Sequence, residues 1–540
     1  MSHAAERDSL MAALTGAGLN VLEVGHVHAY GVRLAVDASA VLRGVTDPVV
    51  IVCLSDDMAY SLRKPEESVQ SVARVLLSEF GLGDNTLAFV LTPDDISLPP
   101  SQAHIWRSYS LAGFTRGLKG PEGRQHLRQL LLKTFPLIRL NPYQSKRAVR
   151  ESMFFGRREE LANLRAVSEN YVVVGPRRGG KTSLALEVER QLRSDPQVRL
   201  SLGARGGAER YLCSVSYVDT QALIDFDSLW EAILRKMGLE PRDTVGGIRK
   251  KTRLRADRTV VVDKSDFELL SDLLEHKYRK ALILLDEVDR LVEMDASQHW
   301  SLLGRLRTLV DSPQARTRVV LLGYDRLFKA AKSPQFPLHG RFEFMRVANL
   351  EHEWVRELIR LPMEELGIVI DDLSQIAARV DRATGGQPHL IQDVCHALVR
   401  LVHGKREPRL TVRDVEQLIE RDGPRLIERV FLAFNELPDP LARLVAYISA
   451  RQESQVTRVV TLLDVLRSTY RLRIDDVPVR DALDYLDLYN VLQCSDRYGD
   501  YWFASQLLKS RLRAELKEPH GAAALEALVE SARQKHERSQ

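Results

Sequence analysis

The run Gly175-Pro176-Arg177-Arg178-Gly179-Gly180-Lys181-Thr182-Ser183 limits what this chain can fold into more than any other stretch. It satisfies G-x-x-x-x-G-K-[ST], the pattern of a phosphate-cradling loop. The β-branched run Tyr171–Val174 precedes it, and Leu184, Leu186, Val188 and Leu192 follow at helical spacing. A strand, a glycine-rich turn and a helix N-terminus are the three parts such a loop needs. The glycines let backbone N–H groups turn inward around phosphate oxygens, and the helix end adds partial positive charge. In that frame Lys181 reaches the β- and γ-phosphates, and the Thr182 hydroxyl is placed to ligate Mg²⁺.

A second motif fits the first. Ala281-Leu282-Ile283-Leu284-Leu285-Asp286-Glu287 is an apolar strand ending in two carboxylates. Asp286 is expected to hold the Mg²⁺ shell and Glu287 to polarise an attacking water. The pair favours hydrolysis over passive binding. Arg318–Tyr324 reads as the next core strand, and Tyr324 or Asp325 at its end could sense the γ-phosphate. Arg341 is the candidate cation for that phosphate, with a solvated loop arginine as the alternative reading.

At 540 residues the chain has room for about three or four domains. Lys and Arg number 77 against 73 Asp and Glu, a balance of +4 that does not predict nucleic-acid binding. Apolar runs such as Pro48–Leu54 fall far short of the ~20 residues of a membrane span. The N-terminus MSHAAERDSLMAAL mixes charges and has no apolar signal core. The four cysteines, Cys53, Cys213, Cys395 and Cys494, make neither a metal spacing nor a disulfide framework. A reducing cytoplasm is the expected location.

The patterns predict a multidomain α/β chain: a small N-terminal α/β domain over residues 1–140, a P-loop core with a parallel sheet over 141–348, a helical domain over 349–423, a domain of helices followed by a β-hairpin over 424–516 and a tail over 517–540. The N-terminal order reads α-β-β-β-α-β, with strands at Val21–Val27, Val32–Val36, Val49–Leu54 and Thr86–Leu91 and helices at Arg7–Leu14 and Val69–Phe80. Helical spacing returns at Gly123–Thr134. The tail after Lys517 reads as one exposed helix that frays.

Together these residues resemble the STAND class of P-loop ATPases and their archaeal-ATPase relatives in the AAA+ neighbourhood. The resemblance begins at Asn141-Pro142-Tyr143 and Phe154-Phe155-Gly156-Arg157-x-x-Glu160-Leu161. It runs through GPRRGGKTS and Leu284–Leu291 to Thr384-Gly385-Gly386-Gln387-Pro388-His389-Leu390-Ile391. It implies an ATP/ADP switch, with nucleotide between core and lid and Pro388 near it. ATP rather than GTP is implied by the resemblance alone. Two features depart from the class. The gap between Lys181 and Asp286 exceeds a minimal core, so an insertion is expected at the basic stretch Gly246–Arg258, and no repeat array follows the lid.

The flanks set the rival readings. Leu441–Ala450, Val459–Tyr470 and Val479–Leu488 read as helices before a hairpin, an order that resembles a winged helix. Its candidate reading helix carries Asp481, Asp484 and Asp487 against Arg480, which opposes phosphate contact, while Arg497, Tyr498 and Tyr501 leave the wing open to DNA. A protein partner or effector is therefore favoured over nucleic acid, and a nucleotide-dependent homo-oligomer is compatible with the class. The leading reading is a slowly hydrolysing ATP switch in bacterial signalling or defence. Its rivals are a DNA-binding AAA+ ATPase of replication-initiator type and a nuclease effector gated by the ATPase. The N-terminal order resembles restriction-endonuclease-like folds in outline and offers Asp37. The strand Val49–Leu54, however, ends in Ser55-Asp56-Asp57 without the lysine such a metal site needs. His26 and His28 share a strand face and read as a surface pair.

Overall fold

The computed structural model describes residues 3–27, 31–39, 41–43, 48–55, 78–82, 86–92, 106–120, 122–145, 147–149, 151–194, 214–221, 229, 232–233, 235–236, 281–311, 317–454, 456–494, 499–518 and 520–539. The basic stretch Gly246–Arg258, His28, Asp56, Asp57, Arg497, Tyr498, the side chain of His26 and most of Val69–Phe80 lie outside them. Two compact units emerge: Met1–Phe155 with His352–Asp381 and Ile391–Gly423, and Gly156–Glu351 with Arg382–Leu390 and Pro424–Gln540.

The first unit is built on a sheet in the order β1-β2-β3-β4-β5: β1 Asn20–Val27, β2 Gly31–Asp37, β3 Val49–Leu54, β4 Leu87–Thr92 and β5 Trp106–Ser110. β1, β2 and β3 pair antiparallel, whereas β3, β4 and β5 pair parallel. β4, Leu-Ala-Phe-Val-Leu-Thr, is buried throughout, as a central strand covered on both faces requires. Phe89 anchors this core, its ring 5.6 Å from Tyr109, 5.4 Å from Phe114 and 5.4 Å from Phe135. Neither β5 nor the helix Leu111–Leu118 is expected from the sequence. Trp106-Arg107-Ser108-Tyr109-Ser110 is too short and polar to signal a strand, yet Ser110 caps the helix by accepting from the Gly113 N–H.

The helices of residues 352–381 and 391–423 belong to this unit. Pro362 lies inside the helix His352–Glu365 and has no N–H for the Leu358 carbonyl one turn back. The buried Tyr143 hydroxyl supplies the missing donor, at 3.0 Å from the Leu358 oxygen and 3.2 Å from that of Ile359. At the end of the same helix, Arg128 donates to the Glu364 and Glu365 carbonyls at 2.7 and 2.8 Å. Last-turn carbonyls favour such a cation.

The second unit carries a wholly parallel sheet in the order β10-β6-β9-β8-β7: β6 Tyr171–Val174, β7 Ser214–Asp219, β8 Ala281–Asp286, β9 Thr317–Gly323 and β10 Glu343–Arg346. This is the parallel sheet with covering helices of a P-loop NTPase. β8 is buried over its whole length, and β9 at every position but Arg318. Because β9 lies between β6 and β8, the residues after β9 emerge between the glycine-rich loop and the carboxylates.

Residues 440–516 of this unit form the helices Pro440–Arg451, Val459–Ser468 and Asp476–Leu488, then strands Leu492–Cys494 and Asp500–Phe503, then the helix Gln506–Glu515. A third strand, Thr457–Arg458, pairs with Asp500–Phe503 to give an antiparallel sheet of three. The last helix, Gly521–Ser539, corrects the expectation of an exposed tail. Leu525, Leu528 and Ala532 are buried, the helix packs on Pro440–Arg451, and Lys535 pairs with Asp439 at 3.2 Å. Its alanine-rich sequence hides the apolar stripe. Among the described residues no helix is long and apolar enough to cross a membrane.

Candidate active site

β6 ends at Val174, and the chain turns through Gly175–Gly180 into the helix Lys181–Ser194. Two residues of this turn have left-handed backbone, Arg178 at φ 62° and Gly180 at φ +95°. Glycine takes that conformation freely, while Arg178 is held there at a cost of roughly 1–3 kcal/mol. Arg157 braces the loop from behind. Its buried guanidinium donates to the Gly179 carbonyl at 2.9 Å and to the Ala348 carbonyl at 2.5 Å, and pairs with Glu160 at 3.3 Å. The sequence shows Arg157 as part of a motif without showing this contact.

Lys181 is buried, and its Nζ donates to the Gly175 and Pro176 carbonyls at 2.9 and 3.0 Å. Burial lowers its pKa, opposed by the negative charges of Glu287, Asp286 and Asp289. One residue on, the Thr182 hydroxyl donates to Asp286 Oδ2 at 2.7 Å, so the glycine-loop helix and the carboxylate strand meet there. Ser183 follows in the first turn of the same helix.

Asp286 closes β8 and is 1 % exposed. Its Oδ2 also accepts from the Tyr217 hydroxyl at 3.0 Å, and its Oδ1 from the Glu287 N–H at 2.9 Å. Glu287 stands at φ 56°, a strained position for a residue with a side chain. Burial raises the pKa of its carboxyl, with Lys181 pulling the other way. Asp289 ties this segment to the end of β9. Its Oδ1 accepts from the N–H groups of Arg326 and Leu327 at 2.9 and 3.2 Å, which satisfies the first turn of the helix Asp325–Lys332.

Tyr324, directly after β9, faces the loop cations. Arg177 stands 5.2 Å and Lys181 Nζ 5.6 Å from its ring centroid. On its other side is Tyr489, with ring centroids 5.1 Å apart, and Tyr489 packs on Tyr485 at 4.6 Å. The Tyr485 hydroxyl donates to Asp325 at 2.7 Å. Tyr324 and Asp325 therefore connect the loop with the helix Asp476–Leu488. Arg346 at the end of β10 adds a second link, its guanidinium donating to the carboxylate and the backbone carbonyl of Asp487.

Arg341 is exposed, and its Nε pairs with Asp311 at 3.2 Å at the end of the helix Ser301–Asp311. Pro388 opens the helix Pro388–His403, as proline at a first helical position can. The turn before it is wedged tightly: Gly385 and Gly386 have φ of +64° and +71°, and a Cβ on Gly385 would sit 2.0 Å from the Ala504 oxygen. Asn349 donates to the Gly385 carbonyl at 2.6 Å, and Gln387 to that of Asn490 at 3.2 Å. In the other unit, Asp37 Oδ1 accepts from the Ser39 N–H at 2.9 Å, an ordinary turn contact. Among the described residues no group of three or more His, Cys, Asp or Glu is arranged to hold a metal ion.

Residues missed by sequence reasoning are Tyr217, Asp289, Tyr485 and Tyr489. Asp289 stands within the Leu284–Leu291 run, but the other three act across strands or from distant helices, where no spacing rule reaches.

Residues 154–394 match the family model described as an ATPase domain predominantly from Archaea. A search of curated protein sequences returns no match. Among solved structures the chain is similar to a Walker-type ATPase of Pyrococcus abyssi, at 17% identity over 67% of this chain and 97% of that one, TM-score 0.42. It is also similar to the ORC2 protein of Aeropyrum pernix in ADPNP–ADP complexes, at 13% identity over 73% and 99%, TM-score 0.43. A third similar structure is the RuvB Holliday junction branch migration motor of Thermotoga maritima, at 12% identity over 68% and 98%, TM-score 0.34. By the family match alone, residues 154–394 form an ATPase domain.

Proposed function

We propose that the chain is an ATP-binding, slowly hydrolysing switch of STAND type, in which nucleotide state controls a protein partner or effector in bacterial signalling or defence. The observation that carries this reading is the convergence of Lys181, Thr182, Asp286 and Glu287 at one end of one parallel sheet. Lys181, Arg177 and Arg178 would neutralise phosphate charge, while the backbone of Gly175–Gly180 and Ser183 at the helix start would cradle it. Glu287 would orient and polarise the attacking water. Arg341 would serve the γ-phosphate after leaving Asp311, and Pro388 would pack near the nucleotide.

Thr182 and Asp286 fit a Mg²⁺ ion: a hydroxyl and a carboxylate already in contact are the hard oxygen donors it takes, with water and phosphate completing its shell. When bound, Mg²⁺ would offset charge developing on the phosphates. The switch reading draws further support from Tyr324, which touches both the loop cations and Tyr489. The helices and three-stranded sheet of residues 440–503 support reading this region as winged-helix-like. Asp481 and Asp484 are exposed on the helix Asp476–Leu488, and Arg480 is paired with Asp476, which favours a protein over DNA as the partner of that face.

The test is to denature freshly purified protein and identify the released nucleotide, for wild type and Lys181→Ala. Near-stoichiometric ADP in wild type that disappears in the variant is the expected result for a switch awaiting exchange. Equal nucleotide content in the two would overturn the site. A salt-sensitive shift of duplex DNA at low ionic strength would move the function to the initiator-like reading.

A further inference from the structure

Asp286 is held by more partners than the glycine-loop pattern requires, and one comes from a strand with no recognisable motif. Tyr217 lies on β7, where Tyr217 pairs with Leu284 and Asp219 with Asp286. Side chains two apart on a strand share a face, so Tyr217 sits diagonally from Asp286 on the same side of the sheet. A phenol is long enough to cover that diagonal, and its hydroxyl donates to Asp286 Oδ2 at 3.0 Å.

The distance between the two strands is itself fixed. Thr220, 1 % exposed and just past the end of β7, donates through both its N–H and its hydroxyl to the Asp286 carbonyl, at 3.0 and 2.9 Å. Asp286 Oδ2 has a second donor, Thr182 at 2.7 Å. A hydroxyl carries one proton and two lone pairs, so Thr182 can ligate a cation through a lone pair while its proton stays on Oδ2. The Tyr217 hydroxyl reaches the same oxygen from a different strand, so the carboxylate is held from two directions.

We propose that Tyr217 is a positioning residue that, together with Thr182, fixes the plane of the Asp286 carboxylate so that Asp286 faces the Mg²⁺ shell. The inference rests on the reading of Thr182 and Asp286 as the Mg²⁺-holding pair. Partners that orient a ligating carboxylate set metal affinity without touching the metal. Tyr217→Phe removes one oxygen atom and leaves the ring in its place.

A fluorescent ATP analogue, titrated in EDTA and across a Mg²⁺ series, separates the roles. For Tyr217→Phe, affinity in EDTA should match wild type, while the Mg²⁺ midpoint should rise about tenfold. With Asp286→Asn already present, adding Tyr217→Phe should change nothing further, because the group it orients has lost its charge. An equal loss of affinity with and without Mg²⁺ would make Tyr217 a general structural residue and overturn the proposal, as would an unchanged midpoint. If wild type bound the analogue equally well in EDTA and in Mg²⁺, the Mg²⁺-holding pair itself would fall, and this inference with it. Melting of each variant without nucleotide shows whether the fold is kept.

Discussion

The sheet β1–β5 and the sheet β6–β10 have the same number of strands and similar cores. Leu-Ala-Phe-Val-Leu-Thr of β4 and Ala-Leu-Ile-Leu-Leu-Asp of β8 are both buried at every position. What distinguishes them is the residue where the chain leaves the sheet. β4 ends in Thr92, which reaches the Tyr109 carbonyl of the neighbouring strand at 3.4 Å and so serves the sheet itself. β8 ends in Asp286 and passes into Glu287, while β6 passes into glycine-rich backbone and a lysine. A buried run makes a sheet in either case. The chemistry lies in the one or two residues beyond it, where strand ends can present charged groups to a ligand.

That contrast can be broken most sharply at Glu287. Glu287→Gln keeps the shape and removes the charge, so nucleotide should still bind while turnover falls by about 10²–10⁴-fold. The check is single-turnover hydrolysis alongside equilibrium binding. Asp37→Ala, at the end of β2, should leave the same turnover unchanged. Loss of activity there would show that the first sheet carries chemistry as well.

Phe89→Ala gives the converse. Phe89 is fully buried among three aromatic rings, and its truncation should cost about 3–5 kcal/mol of stability in the first unit. Denaturant unfolding followed by hydrogen exchange would place that loss on β3, β4 and β5, with nucleotide affinity unchanged. A smaller effect is expected from Tyr143→Phe, which leaves the Leu358 carbonyl without its donor beside Pro362. An unsatisfied buried acceptor costs about 1–3 kcal/mol. Faster exchange confined to the helix His352–Glu365 would identify it.

The same contrast explains what can be read from the sequence. The glycine loop and the strand Ala281–Asp286 are legible because each packs its determinants into a few consecutive residues. Their apolar runs also suit strands buried on both faces. Tyr217 is not, because its partner lies far along the chain and only strand pairing brings them together. Tyr143 is visible within Asn141-Pro142-Tyr143, but its task depends on the carbonyl freed by Pro362, more than two hundred residues later. The last helix escapes for a different reason: Leu525, Leu528 and Ala532 form a stripe too thin to stand out among alanines and charges.

The smallest effect tests, from a charged residue, whether the first unit is separate from nucleotide binding. Thr411 and Asp414 form a reciprocal cap at the start of the helix Val412–Asn435. The Asp414 N–H donates to the Thr411 hydroxyl at 3.3 Å, and Asp414 Oδ2 accepts from the Thr411 N–H at 2.7 Å. Lys405 Nζ also reaches that oxygen at 2.6 Å. Burial alone would raise the Asp414 pKa, but the hydrogen bonds from Lys405 and Thr411 outweigh it and hold the carboxyl below the usual aspartate range. A carboxyl depressed in the folded state adds stability above its unfolded pKa and loses it as pH falls through the folded one. Asp414→Asn should therefore cost about 1 kcal/mol near neutral pH. The difference from wild type should shrink as the pH drops below the usual aspartate range, toward the depressed folded value. Exchange of the first-turn amides of that helix, measured against pH, reads this directly. Nucleotide affinity should not move. If it did, a cap in the first unit would be energetically coupled to the phosphate site in the second, and the division between a stabilising sheet and a reactive one would have to be replaced by a coupling between them.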